Sequence, residues 1–489
     1  MKTMIEKWSR NTGVALLLFG LFMCFMLLYA IVTEAQSTVT NGFLGTIGWT
    51  LGIGLVFLSV GKKQHMSAVN PLGYLTALSV ISVMTVLGAI PFVQIGAMPW
   101  IDALLESASG LTTTGLSTWY NFELYPNALE FWRNQLQIIG AIFVLVYFIR
   151  VIYINEDRFW KGEIGLWNKL RLPKHLPNVY KVILGFAAIL IGLIGIQTGV
   201  LILSGASLLQ AFMHSVSTIS GGGFYSSGTH WASLNGVSEN WVMYTTLVFM
   251  GLSGVSYIVY TKYLMRDFSR SSGTTSLGYY LKWILAGAVL LFVLDPLKMG
   301  TGFFKHLFHA VSVVSGSGFG LRDMNLEYFT PAMLMVLTLM GLVGGAIGGL
   351  SGGIKIDRLV LVVKNIGVEI KKIVSPKQMV LVVRYGRRAL NDAFINRIMT
   401  LVMLWIITGL IGISLLVVTT SLDIGQIGVL AIGALGNSGI TTLSPLEIQE
   451  ISGGGKIVLL GLMILGRIEI VPLLLLLSGQ TYKINGGRL

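Results

Sequence analysis

The chain has 489 residues, of which 54% are hydrophobic and 11% charged, with a mean hydropathy of +0.77 and a formal charge of +13. A water-soluble domain carries about 25% charged residues, so this composition excludes a string of soluble domains, and neither end holds a segment long and polar enough to form one. The charges sit in short connectors between long apolar runs. That is the pattern of a polytopic membrane protein, whose spans are helical because lipid offers the backbone no hydrogen-bond partner.

The N-terminus carries Lys2, Lys7 and Arg10, followed by an apolar stretch over 14–32. This is longer than the apolar core of a signal peptide, about 7–15 residues, and predicts a retained first helix. Cys24, the single cysteine, has no internal disulfide partner. Ten apolar spans follow in order: 13–33, 42–61, 72–93, 130–152, 179–203, 240–262, 279–297, 331–351, 395–418 and 456–478. After the first two, the spans pair around four shorter semi-polar segments. The chain thus divides into two extra N-terminal helices (1–66) and four units (67–175, 176–272, 273–378 and 379–489).

Each intervening segment has an apolar stretch too short to cross a bilayer, then Ser, Thr and Gly. A span needs about 20 residues, and a shorter apolar stretch reads as re-entrant. In register the segments are ESASGLTTTGL, HSVSTISGGGF, HAVSVVSGSGF and LAIGALGNSGI, beginning at Glu106, His214, His309 and Leu430. Gly115, Gly223, Gly318 and Gly439 then coincide, at intervals of 108, 95 and 121 residues. Self-similarity at a near-constant period means one structural unit repeated. The expected fold is an all-α polytopic membrane protein with ten transmembrane helices. Eight of them form four helix–pore loop–helix repeats with pseudo-fourfold symmetry around one pore.

Positive residues favour cytoplasmic loops. With the N-terminus inside, 28 of the 34 Lys and Arg fall on the inner side and 5 on the outer, with Arg467 inside a span. Both termini are therefore expected in the cytoplasm, with the pore loops entering from outside. This distribution accounts for the basic charge without nucleic acid.

A cation that leaves water needs substitute oxygens, which rings of backbone carbonyls provide. Glycine permits the required turn because positive φ costs it nothing. Short helices aimed at the cavity would add their negative C-terminal ends. The filter set is Thr113, Thr114 and Gly115; Gly221, Gly222 and Gly223; Gly316, Ser317 and Gly318; and Asn437, Ser438 and Gly439. The cation is expected on the backbone carbonyls of Thr113, Thr114, Gly222, Ser317, Asn437 and Ser438. In the second loop Gly222 and Gly223 both remain candidates for the equivalent position. A carboxylate ring is not the mechanism, since Glu106 is the only acid among the four leading positions. His214 and His309 read as interfacial hydrogen-bonding residues rather than metal ligands.

Two features suggest a gate. The run LMGLVGGAIGGLSGG over 339–353 has seven glycines, among them Gly344, Gly345, Gly348, Gly349, Gly352 and Gly353. They should unwind the helix inside the membrane, where irregular backbone survives only within protein or beside a water-filled cavity. Arg467 lies eleven residues from either end of its apolar run, or ~16 Å at ~1.5 Å per residue. An intramembrane charge there is functional by default. At ~10 Å and an effective dielectric of about 20 it repels a cation by ~1.7 kcal/mol. Glu469, two residues on, points to another side of the helix.

These residues resemble the TrkH/TrkG/KtrB family of potassium uptake proteins. The likeness rests on the four single-glycine loops, SGLTTTG over 109–115, FWRNQLQ over 131–137, the glycine-rich break before Ile354 and Lys355, and Gly466-Arg467-Ile468-Glu469. The two extra helices favour the TrkH/TrkG branch. The resemblance implies potassium uptake across the inner membrane, a homodimer with one pore per protomer and a cytosolic nucleotide-binding regulatory subunit of TrkA type. It implies no cofactor, with K+ as the transported ion. The connector 355–397, with ten basic and three acidic residues, suits docking of such a subunit or anionic membrane lipid. The second loop reads Ser-Gly-Gly-Gly where the family usually has Ser-Thr-Gly-Gly.

Three alternatives stand beside this reading. A sodium-permeable or poorly selective relative of the same architecture is disfavoured by Gly115. An ion-coupled secondary transporter would more often show midplane acids or inverted repeats. A membrane enzyme finds no HExxH, GxSxG or P-loop here. Because residues beside the four glycines differ, the filter is expected to be chemically uneven and less selective than a symmetric one, with control shifted to 339–353 and Arg467.

Overall fold

In the structure, a computed structural model, the described residues are 2–34, 36–61, 71–120, 125–147, 149, 178–224, 234, 236–264, 266, 272–295, 302–320, 329–376, 379, 381–386 and 388–470. The basic residues Lys62, Lys63, those over 150–174, Arg270, Lys298, Arg322, Lys377, Arg387, Lys483 and Arg488 lie outside them, as do the expected boundaries at 66/67 and 175/176.

The chain is almost wholly helical. Helices α1 (Lys2–Thr33) and α2 (Ser37–Val60) form an antiparallel pair. Small residues set their spacing, because lipid gives apolar helices no reason to associate beyond close packing. A Cβ on Gly13 would lie 2.8 Å from Gly54 O, and one on Gly20 would lie 2.7 Å from the Leu51 side chain. The opposite faces are apolar and exposed, with Leu18, Leu21, Leu28 and Val56 all outward. A continuous apolar exterior of this kind fits a lipid surround.

Four triplets follow. The first is α3 (Pro71–Gln94), α4 (Trp100–Leu111) and α5 (Asn127–Tyr147). The second is α6 (Asn178–Leu203), α7 (Leu208–Ser220) and the bent pair α8 (Glu239–Ser253) and α9 (Tyr257–Leu264). The third is α10 (Ser272–Leu294), α11 (Phe303–Ser315) and α12 (Pro331–Val343). After α13 (Ile356–Val374) and a two-stranded hairpin, β1 (Arg384–Tyr385) and β2 (Arg388–Ala389), comes the fourth: α14 (Asp392–Thr419), α15 (Ile424–Leu435), the short α16 (Pro445–Glu450) and α17 (Gly453–Arg467).

The first member of each triplet has 23 to 28 residues and the second 12 or 13. Thirteen residues rise about 20 Å, short of the roughly 30 Å hydrocarbon core. The third members depart from the expected spans. Among the described residues six helices are long and apolar enough to cross a bilayer, or seven counting α8 and α9, which bend by 91° at their break. The span expected over 331–351 is helical only to Val343, where Gly344 turns to φ 67°. The span expected over 456–478 is helical to Arg467, and Glu469 and Ile470 then adopt φ 64° and 62°. Hydropathy runs on through both breaks because the residues after them are still apolar.

Helix α5 turns inward an unusually polar face for a membrane helix. Glu130, Arg133, Asn134, Gln135 and Gln137 are all buried. That face and the C-terminal ends of α4, α7, α11 and α15 converge in the interior.

Candidate functional site

The four short helices end in the same way. The N–H of Thr113, Gly221, Gly316 and Asn437 donates to the carbonyl three residues back, at 3.0, 3.4, 3.2 and 3.2 Å. The next N–H, of Thr114, Gly222, Ser317 and Ser438, donates to the carbonyl five residues back, at 2.9, 3.1, 3.0 and 3.0 Å. This pair of bonds is the Schellman termination, which needs a left-handed residue at its first position. The φ values there are 50°, 72°, 82° and 47°. Two residues on, Gly115, Gly223, Gly318 and Gly439 are left-handed again, at 87°, 57°, 66° and 63°. Each turn thus alternates left-handed, other, left-handed, which brings successive carbonyls toward one side. In the second loop Gly223, rather than Gly222, has the conformation of the other three glycines.

The turns close into a ring. A Cβ on Gly439 would lie 2.3 Å from Thr114 O, one on Gly318 2.8 Å from Ser438 O, and one on Gly223 1.7 Å from Ser317 O. Gly222 meets the Gln137 side chain of α5, with a Cβ only 2.3 Å away, and so returns the circuit to the first repeat. The four turns that hold the twelve residues expected to form a filter are therefore brought together. Side chains stitch the seams: Asn437 Nδ2 donates to Thr114 Oγ1 at 2.9 Å and to Met463 O at 2.9 Å. Thr113 Oγ1, Ser217 Oγ, Asn437 Oδ1, Ser438 Oγ and the Gln137 amide are buried without a hydrogen-bond partner among the described residues. Polar atoms buried at this density need water or an ion.

Behind the ring lies a network that the sequence reading did not assemble. Arg133 on α5 pairs with Glu106 on α4, and its Nη2 donates to Ser117 Oγ at 2.7 Å. Glu106 also accepts from Ser117 Oγ and Thr118 N–H, both at 3.1 Å. The guanidinium sits 3.9 Å from the Phe224 ring centroid, an attractive arrangement in a desolvated site. One ion pair thus supports the chain just after both Gly115 and Gly223. The signal was present in four polar residues, Arg133, Asn134, Gln135 and Gln137, inside one span. At the opposite end of α4 from the ring, Asp102 and Lys456 of α17 form a buried ion pair at 2.5 Å. His214 Nε2 bonds Thr246 Oγ1 at 2.7 Å and stacks on Phe319, and His309 packs edge-on to Phe329.

The glycine-rich run is an irregular loop, over 344–355, directly against the ring. A Cβ on Gly352 would lie 2.2 Å from Gly436 O, and Ser351 Cα lies 3.4 Å from the Cβ position of Gly316. Gly344, Gly348 and Gly353 are left-handed, at φ 67°, 80° and 80°. Gly345 and Gly349 face the Gly254 carbonyl at the α8–α9 break, with Cβ positions 3.1 and 2.7 Å from it. Backbone bonds fasten the loop's ends, with Ile354 N–H on Leu342 O at 2.9 Å and Lys355 N–H on Val343 O at 2.7 Å. Arg467 reaches the same loop: its Nη1 donates to Leu350 O at 2.8 Å, while Nε and Nη2 have no partner among the described residues. Arg467 and four of the loop glycines, Gly348, Gly349, Gly352 and Gly353, line one cavity, together with Lys355 and Glu469. Arg467 closes a helix rather than sitting within one, and Glu469 pairs with Arg358, at 3.0 and 2.9 Å, not with Arg467.

The sequence profile of the TrkH cation transport proteins matches residues 62–294 and 292–482. The chain belongs to the TrkH family. Among TrkH-family relatives, the Trk system potassium uptake protein TrkH of Halomonas elongata is 24% identical over 78% of this chain and 80% of its own. That of Vibrio parahaemolyticus is 25% identical over 97% and 98%. The crystal structure of the Vibrio parahaemolyticus potassium transporter TrkH superposes with a TM-score of 0.81 at 21% identity, covering 99% of this chain and all of that one. The TrkH fold is therefore shared along the whole length.

Proposed function

We propose that this protein takes up potassium across the cytoplasmic membrane through the ring of four turns. The observation that carries the reading is the fourfold recurrence of one backbone conformation around residues of differing chemistry. Carbonyl rings replace a cation's hydration shell, and the four turns supply carbonyls through a shared geometry rather than shared side chains. The relatives' potassium uptake supports K+ as the cargo.

In this reading the carbonyls of Thr113, Thr114, Gly222, Ser317, Asn437 and Ser438 receive the dehydrated ion. The negative ends of α4, α7, α11 and α15 favour it as it arrives. The loop over 344–355 obstructs the path on the inner side of the ring, and the Arg467 charge raises the barrier beside it. Opening moves the loop aside and takes the arginine's carbonyl partner with it. Both termini lie in the cytoplasm. On the family resemblance, two copies assemble, and a cytosolic nucleotide-binding subunit docks on the basic connector 355–397.

Potassium and sodium fluxes through purified protein in liposomes test this. Gly115→Ser is expected to lower the potassium-over-sodium ratio, and an unchanged ratio would sink the filter assignment.

A further inference from the structure

Asp357 stands in the first turn of α13, where a carboxylate suits the helix dipole. Its hydrogen bonds go elsewhere. Oδ2 accepts from the Ile347 N–H of the glycine-rich loop at 2.8 Å and from Ser276 Oγ of α10 at 2.8 Å. Oδ1 accepts from the Tyr385 hydroxyl of β1. One buried carboxylate therefore ties the obstructing loop to an outer helix and to the hairpin that leads into the fourth repeat.

The hairpin is held so that the Tyr385 hydroxyl faces both Asp357 and Ser276. Val383, Tyr385 and Leu390 are buried, Tyr385 stands 6.0 Å from the Tyr279 ring, and Lys364 Nζ donates to Arg384 O at 3.0 Å. A Cβ on Gly386 would lie 3.0 Å from Thr275 Oγ1, beside Ser276. A carboxylate needed only to cap its helix would spend its oxygens on the first-turn amides. Here three donors from three other elements hold it.

We propose that Asp357 is a latch, a positioning residue that keeps the glycine-rich loop across the path, and that the hairpin is the handle that releases it. Displacing the hairpin withdraws the Tyr385 donor, loosens the carboxylate and frees the Ile347 amide. The loop then loses a charge-assisted bond, the stronger kind, that backbone contacts do not replace. The inference rests on the loop being the gate.

The test uses the full-length protein in liposomes. Tyr385→Phe removes a single hydroxyl. It is expected to raise potassium flux about tenfold, equivalent to about 1.4 kcal/mol, with the potassium-over-sodium ratio unchanged. Asp357→Asn should act in the same direction, and Ser276→Ala more weakly. In a Cys24→Ser background, Ile347→Cys reports on the loop itself, and Tyr385→Phe should speed its labelling by a membrane-impermeant thiol reagent by a similar factor. Arg467→Gln removes the charge beside the same loop and serves as the reference. If Arg467→Gln raises flux while Tyr385→Phe and Asp357→Asn change neither flux nor labelling, the latch is overturned and the gate stands. If none of the three changes flux, the gate reading falls and the latch with it. Because Tyr385→Phe keeps the ring in its pocket, the outcome survives a failure of Asp357→Asn to fold.

Discussion

The ring of turns and the glycine-rich loop are both irregular backbone deep in a membrane protein, and they differ in how much side chains hold them. Each turn is fastened to its own helix by backbone bonds that recur four times, from Thr114 to Ser438. The loop over 344–355 occurs once; backbone bonds tie it to α12 and to the α8–α9 break, and the side chains of Asp357 and Arg467 add bonds to it, with Arg358 at its flank. Backbone fastening cannot be undone without unwinding the helix end. Side-chain fastening yields to a rotamer change. On the proposed reading, the contrast separates a filter that keeps its shape from a gate that gives way.

The hardest test of that contrast is to force a side chain into the ring. Gly223→Ala places a Cβ on Ser317 O at a left-handed position, where strain and overlap together cost several kcal/mol. Transport should fall at least about a hundredfold, as measured by rubidium uptake in cells lacking other potassium uptake. Retained uptake would show that the ring is softer than its bonds imply.

Next is the loop's flank. Arg358→Ala leaves Glu469 without its partner, and breaking this part-buried pair costs on the order of 1–3 kcal/mol, below the full cost of breaking a buried one. The melting temperature in detergent should drop by several degrees, and no drop would mean water already screens the pair. Arg467→Gln removes charge while keeping a donor for Leu350 O. Potassium flux should rise, on the order of tenfold for a barrier of about 1.4 kcal/mol. A fall in flux would place the arginine among the groups that assist the ion.

Smaller effects sharpen the picture within the ring. Thr113 and Asn437 are left-handed where the second and third repeats have glycine, a conformation that costs a non-glycine residue about 1 kcal/mol. Thr113→Gly should therefore raise the melting temperature slightly. Asn437→Gly should not, because it also removes the bonds to Thr114 and Met463. At the bottom of the scale, Gly192→Ala on α6 meets nothing within 4 Å and should leave transport unchanged.

The sequence made the ring legible because backbone need and residue type coincide there. Small residues recurred in register, and the four turns that hold them converge. It also marked the loop, since seven glycines in fifteen residues have few other uses. The ends of the third helices were hidden, because an apolar run continues past Val343 and Arg467 whether or not the backbone does. The network around Asp357 was hidden for a different reason. Its donors lie 81, 10 and 28 residues away, and no local pattern marks a carboxylate as a meeting point. Arg133 belongs with it: the sequence placed it in an outer-side charge count, while its partner Glu106 is 27 residues earlier on another helix.

The four helix terminations have one more consequence. In each turn two consecutive amide hydrogens point back into the helix that precedes them. They are not available to a chloride or phosphate arriving at the ring, which would meet oxygen from four sides. On the proposed reading, the hand of the backbone thus disfavours anions before any lysine or glutamate takes part. A chain that varied every side chain around the ring while keeping those eight bonds would still refuse them.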